Sequence, residues 1–594
     1  MRCVSSYNHA MPIAAPRRVG VAGLLGLLAG SLILMLAPGN PGALRLAGIG
    51  VLWWYAAVAA PLTAVLLVTL VQRVAPGSAS RRPTVLAVAA WTSPVLLALV
   101  AARAFSGGPD APALALAALV APLIAFLVPT SGAERRPNLV AALAVGAAAG
   151  FILWANLLLF ADVAGVLGLP RWAATVPATL VALVTLELAQ ATDVSRTATG
   201  RERAEGGTVA RLARAALRGG GLTLLYTSAL GFVALVLIIA LTLVASPWGA
   251  WRAVASRSAL TFSELSPWVT EGRTLARSTA LDFTEAHRVT ALSPATYRVL
   301  EPGRFREGQL RAGESLSLRA GDRLVLDAGA RLRFEAGKRI PGSPASGVAW
   351  ADPPERGGFA TVAETLGAMV TLVGGALAFV GSRPALGART VYVGSGLLVA
   401  LVLSSLSLGV FGAFAAPGLS IGAPAVAAVF DLPAAIVPGP RGRALGALGG
   451  VMLLVLFAAT ALALRDVLQR ALRAPDRGDA SAAGGRVKLV RPIMRLFLVA
   501  AWAASFWGGE ASRALLIGLG LAASATLAPR LADDEPGARL VGSLVGVIVF
   551  AGLSMLGPRL PTWAAVVGAY PVVAALPLAW GAIRAWNARP RRAV

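Results

Sequence analysis

Fourteen apolar stretches, each near the ~20 residues a helix needs to cross a bilayer, run along this 594-residue chain. Seven lie at 19–37, 47–71, 84–103, 112–130, 139–160, 172–190 and 221–245. A polar stretch, 246–360, follows. Seven more lie at 361–382, 391–416, 443–463, 492–509, 512–528, 539–556 and 562–584. No soluble globular fold accommodates this pattern. The chain is 57% apolar and only 14% charged, against about 25% charged in soluble chains. The same hydrophobicity excludes low-complexity disorder. The fold class is therefore a polytopic α-helical membrane protein of about 14 spans, seven on each side of a small extracytoplasmic domain.

Arginine placement tests that threading independently, because short cytoplasmic loops concentrate Lys and Arg. With the N-terminus inside, 30 of the 53 basic residues fall in inside segments and 7 in short outside loops; the other 16 lie in 246–360. A wrongly placed span would invert every later loop. The bias predicts a bacterial inner membrane, both termini cytoplasmic and 246–360 periplasmic. The division is 1–245, an N-terminal bundle, 246–360, a periplasmic domain, and 361–594, a C-terminal bundle. The pair Arg17-Arg18 ahead of an apolar run also suits a cleaved signal peptide. The length of the run favours an uncleaved first span.

Within 246–360, Ala-Gly recurs at 312–313, 320–321, 328–329 and 336–337, a period of eight. Between the pairs stand Leu316 and Leu318, Leu324 and Leu326, Leu332 and Phe334. Alternating apolar residues turn one face of a short strand inward. Glycine at each boundary permits the positive φ of a tight turn. Residues 300–342 are therefore β-rich: a meander, a jelly-roll-like sandwich or a patch of β-solenoid. Residues 250–290 read as more helical or irregular, with Trp248, Trp251 and Trp268 near the membrane surface.

Chemistry is sparse. A single cysteine, Cys3, excludes disulfides and CxxC motifs, and two histidines, His9 and His287, exclude HExxH zinc sites. Neither lysine, Lys338 or Lys488, follows a phosphate-cradling glycine loop, so ATP-driven work needs a partner chain. No cofactor or metal is expected, no catalytic motif is present, and the basic charge lies in loops rather than in a nucleic-acid-binding patch.

Ionisable residues at membrane depth mark ion paths by default. The candidates Glu187, Glu364, Asp431, Arg495 and Glu510 all read as interfacial, Arg495 by snorkelling from a cytoplasmic end. This argues against proton- or sodium-coupled transport. Mid-span prolines at 61, 94, 122, 177, 571 and 577 free backbone carbonyls and kink helices. Glycine pairs such as Gly146/Gly150 and Gly542/Gly546 permit close helix packing. Asp282, Glu285 and His287 cluster in the external domain without a nucleophile, and read as a solvated polar surface.

Two cytoplasmic segments read as short basic amphipathic helices. In 208–218, Val209 and Leu212 oppose Arg211, Arg214 and Arg218. In 464–474, Leu464, Val467 and Leu468 oppose Arg470 and Arg473. Each suits either an interfacial helix held by anionic lipid or a docking element for a cytoplasmic ATPase.

Residues 205–252 carry a basic helix ending in Gly219-Gly220-Gly221, then a long span closing at Pro247-Trp248. Residues 556–592 carry Leu-Gly-Pro-Arg-Leu-Pro-Thr-Trp, a last span and a basic tail. Both stretches resemble lipopolysaccharide-export permeases of the LptF/LptG type. Those permeases have three spans on each side and a larger external domain. The resemblance implies a permease that works with an ATPase and passes a lipid or glycolipid outward. In it Pro247, Trp248, Pro561 and Trp563 are architectural. The leading reading is thus an export or flippase-like permease for a lipid-linked or envelope molecule. The alternatives are a membrane-embedded glycosyl or lipid transferase using Asp162, Glu364 and Asp431, or a scaffold whose 246–360 domain binds a periplasmic protein.

Overall fold

The computed structural model describes residues 14–75, 86–108, 110–128, 139–197, 220–264, 266–301, 304–352, 359–380, 388–437, 439–472, 480–530, 535–556 and 571–588. Among these, eleven helices are long and apolar enough to cross a membrane. Six precede the polar stretch: α1 (Ala14–Leu36), α2 (Val51–Val74), α5 (Asp110–Leu127), α6 (Leu139–Val166), α7 (Trp172–Thr197) and α8 (Gly220–Leu243). Five follow it: α12 (Phe359–Phe379), α13 (Ala388–Ala415), α16 (Pro440–Leu472), α18 (Ala511–Arg530) and α19 (Pro536–Leu556).

The other expected spans also coincide with helix. The stretch 84–103 is two collinear pieces in sequence, α3 (Leu86–Trp91) and α4 (Pro94–Ser106). The stretch 492–509 is the second half of α17 (Ala480–Ser505), and 562–584 ends in α20 (Val572–Asn587).

Of the mid-span prolines, Pro94 is the one that ends a helix. Ser93 before it is extended (ψ 150°), as the residue ahead of proline prefers. Neighbouring helices satisfy the backbone groups freed at the break. The Val95 N–H donates to Asn156 Oδ1 (3.2 Å) and Thr460 Oγ1 lies 3.1 Å from the Ala89 carbonyl; the Trp91 indole donates to Ala118 O (2.7 Å), the carbonyl that Pro122 frees on α5. Pro122, Pro177 and Pro577 stay inside continuous helices.

The two halves are interleaved. Helix α6 packs along α18, α4 along α13, α5 along α12 and α8 along α16, and each pair joins residues before 246 to residues after 360. One continuous apolar core results. Glycine placement explains the closest approaches. The ring of Phe497 on α17 lies against Gly146 and Gly150, 3.7 and 3.6 Å from where their Cβ atoms would stand. Gly542 and Gly546 of α19 likewise admit Ile583 of α20 and the Ser524 carbonyl of α18.

Residues 273–333 form an eight-stranded sandwich: β3 (Arg273–Thr274), β4 (Thr279–Asp282), β5 (His287–Ala291), β6 (Ala295–Glu301), β7 (Arg304–Leu310), β8 (Ser315–Leu318), β9 (Arg323–Leu326) and β10 (Arg331–Arg333). A short ribbon, β1 (Arg45–Leu46) and β2 (Ile49–Gly50), lies elsewhere. One sheet has the order β3-β10-β5-β8, the other β4-β9-β6-β7, and every pairing is antiparallel. This is jelly-roll topology. It arises from one long hairpin whose register never slips, from Glu301↔Arg304 at the tip, through Ala295↔Leu310, His287↔Leu318 and Thr279↔Leu326, to Arg273↔Leu332.

The period of eight is thereby explained. Each unit is one strand plus one corner, and each corner carries the chain across to the other sheet. Gly313, Gly321 and Gly329 sit at the corners with φ of 86°, 90° and 90°. Their N–H groups donate to the carbonyls of Ala291, Phe283 and Leu275, themselves eight residues apart. The repeat leucines and Phe334 fill the interior, each 6% exposed or less.

The upstream arm corrects the expectation for 250–290. It opens with the helix α9 (Pro247–Ala255) and the turn α10 (Pro267–Thr270), but β3, β4 and part of β5 lie within it. Its strands are short and lack the Leu-x-Leu alternation of the return arm, and the pairing partner imposes their conformation. Trp268 is buried in the sandwich core rather than at a membrane surface.

Candidate functional site

The loops at 37–50, 107–110, 416–439 and 507–510 gather at the end of the bundle that carries the jelly roll. The chain leaves the bundle through α9 and returns through α11 (Gly347–Ala351). Trp251 and Trp350 from these helices are fully buried against Trp53, with ring centroids 6.1 and 5.7 Å from it. The Trp350 indole donates to Phe105 O (3.0 Å) and the Trp53 indole to Ala351 O (2.8 Å). Gly107 (φ 76°) lies directly against the Trp350 ring and leaves no room for a Cβ. Arg45 pairs with Asp352 (2.9 Å) beside this cluster.

A second seat joins the jelly roll to the short helices at 425–436. Arg273 of β3 pairs with Asp431, and the Ala276 N–H donates to Gly422 O (3.1 Å). Arg257 lies behind, its guanidinium donating to Phe414 O (2.9 Å); burial lowers the pKa of this group.

Beside the stem, a narrow cleft with about 20 Å³ of free space opens between α4, α5, α12 and α18. Its polar lining is Arg103, Asp110, Glu364 and Thr365, and its apolar wall is Leu99, Leu114, Ala368 and Leu516. Arg103 and Asp110 pair at 3.1 Å across the turn between α4 and α5. Asp110 opens α5, where a carboxylate complements the helix dipole. The lining sets paired charges beside an apolar wall. Sequence reasoning singled out Glu364 but missed Arg103 and Asp110. The available signal was two opposite charges flanking Gly107-Gly108 between apolar runs.

A smaller cleft, with about 10 Å³ of free space, lies toward the other end, between α7, α16 and α17. It is lined by Leu186, Glu187, Arg465, Val490, Arg491, Met494 and Arg495. Both Arg491 and Arg495 donate to Glu187 at 2.6 Å. Helix α17 begins at Ala480, so Arg495 lies in its middle, one turn beyond Arg491.

The remaining sequence candidates separate. Val209, Arg211, Leu212, Arg214 and Arg218 lie outside the described residues, as do Arg473, Pro561 and Trp563. Leu464, Val467 and Leu468 are not the face of a separate amphipathic helix. They belong to the last turns of α16 and are buried in the bundle at 3% exposure or less. Arg470 pairs with Asp466 at 2.6 Å. Pro247 starts α9, and Trp248 stacks on Trp54 (4.8 Å), both in architectural positions. His287 is buried rather than solvated. Its Nε2 donates to Arg339 O (2.8 Å), and Glu285 accepts from the Arg339 N–H (2.7 Å), so the trio closes the sandwich. Of Asp162, Glu364 and Asp431, Glu364 lines the outer cleft, Asp431 is engaged with Arg273, and Asp162 lies on α6 within electrostatic range of Arg171, Arg277 and Glu510.

No family model matches the chain, and no curated protein matches it.

Proposed function

We propose that this chain is an inner-membrane permease, flippase-like, for a lipid-linked or other amphipathic envelope molecule. In this reading the chain crosses the membrane fourteen times, with both termini in the cytoplasm and the jelly roll in the periplasm, and a partner ATPase supplies the energy. The observation that carries this reading is the mixed lining of the outer cleft. Arg103, Asp110 and Glu364 meet a polar head while Leu99, Leu114 and Leu516 meet its apolar continuation. An ion path would need no such wall. The resemblance at 205–252 and 556–592 adds the export direction and the ATPase. The transferase reading has less behind it, because Asp431 is already taken up by Arg273. With Leu464, Val467 and Leu468 inside the bundle, 208–218 is the segment assigned to the ATPase.

The test is reconstitution. Proteoliposomes holding the chain, its co-purified ATPase and the co-purified lipid should move that lipid only with ATP, and Glu364→Gln with Arg103→Gln should slow the movement at least tenfold. Equal movement by the lone chain without ATP overturns the ATPase-coupled form.

A further inference from the structure

We infer that the cleft of Glu187, Arg465, Arg491 and Arg495 binds the phosphate of an anionic membrane lipid. The inference stands apart from the permease reading and survives its failure. Position is the first argument. Glu187 lies ~22 Å along α7 from Trp172, toward the end of that helix that the threading assigns to the cytoplasmic surface, and lipid phosphates lie at the surface of a hydrocarbon layer about 30 Å thick. Anionic lipid draws arginine to that level.

Charge is the second. Two guanidiniums, Arg491 and Arg495, share the one carboxylate of Glu187. Glu187 takes a donor each from Arg491 and Arg495, and each guanidinium has five N–H donors in all. The excess of positive charge faces outward, because both arginine side chains are more than 40% exposed. Planar guanidiniums match phosphate oxygens in pairs, which makes arginine suited to this ligand.

The third is what flanks the cleft. On α7, Leu180, Val184 and Leu188 are exposed, and on α17, Leu489, Leu496 and Val499. A headgroup on the arginines leaves its acyl chains along these residues. A soluble phosphate would make no use of them.

The test uses the purified full chain in neutral detergent, with phosphatidylglycerol or phosphatidylcholine added and bound lipid counted by native mass spectrometry. Phosphatidylglycerol should be retained over phosphatidylcholine. Arg491→Gln with Arg495→Gln should cut its occupancy at least tenfold. Arg465→Gln, which leaves the Glu187 pairs intact, should lower it severalfold without changing the elution profile. Glu187→Gln should raise occupancy, because it removes the competing carboxylate. Opposite signs for the glutamate and arginine variants exclude a merely structural ion pair. Unchanged occupancy in the arginine variants, or a joint fall in all of them, overturns the proposal. Displacement by millimolar inorganic phosphate with no preference between lipids overturns the lipid assignment in favour of a soluble phosphate.

Discussion

Arg273, at the first strand of the jelly roll, forms an ion pair with Asp431, in a buried turn among the short helices after α13. Asp431 is only 6% exposed, so the pair ties the external domain to the bundle at a place water barely reaches. Removing one partner of a buried pair leaves an uncompensated charge, a change that costs roughly 3–5 kcal/mol.

Arg273→Gln should therefore lower stability by several kcal/mol, and Asp431→Asn added to it should restore part of the loss. Burial raises the Asp431 pKa and Arg273 draws it back down. Without Arg273, burial acts alone. A carboxyl whose folded pKa is raised above its unfolded value gives a folded state that binds more protons, so stability falls as pH rises between the two values. The Arg273→Gln deficit should accordingly shrink on acidification, as read by thermal unfolding of the detergent-solubilised chain across pH.

The jelly roll separates backbone strain from packing. At Gly329 (φ 90°) a Cβ would meet nothing within 4 Å, so Gly329→Ala tests conformation alone and should cost about 1–2 kcal/mol. Leu324→Ala empties a fully buried site and should cost about 2–5 kcal/mol. Denaturant melts of the intact protein measure both, and equal effects would contradict the corner assignment.

Trp350 anchors the return of the chain to the bundle through its ring on Trp53 and its hydrogen bond to Phe105 O. Trp350→Ala should cost about 3–5 kcal/mol. Gly107→Ala should be nearly as damaging, since it meets both the ring and a positive φ. Limited proteolysis should then cut at the stem, near 352–358, faster than in the parent.

Orientation follows from labelling. With Cys3→Ser as background, Ser315→Cys lies on an exposed jelly-roll position and should react with an impermeant maleimide in intact spheroplasts. Ser131→Cys, in the loop between the fourth and fifth expected spans, should react only after permeabilisation.

Much of this architecture was legible because two periods are strong. Apolar runs of about 20 residues locate the spans, and the Ala-Gly period of eight locates β8, β9 and β10. The upstream strands were not legible, because β3, β4 and β5 take their conformation from the return arm. The interleaving of the two halves was equally hidden, since helix–helix choice depends on shape, such as Phe497 on Gly146 and Gly150. The sites were read least well. Glu187 and Arg495 were singled out separately, and their pairing, which also takes in Arg491, joins positions about 300 apart in the chain. Leu464, Val467 and Leu468 looked like an interfacial face because periodicity cannot distinguish lipid from a neighbouring helix.

The most direct measurement is extraction of the native complex in a membrane-solubilising polymer, followed by mass spectrometry of the proteins and lipids that come with the chain. The account predicts a cytoplasmic ATPase together with an amphipathic envelope lipid, both retained by the parent and the lipid reduced by Glu364→Gln with Arg103→Gln. Isolation of the chain alone, or with periplasmic proteins only, would contradict it.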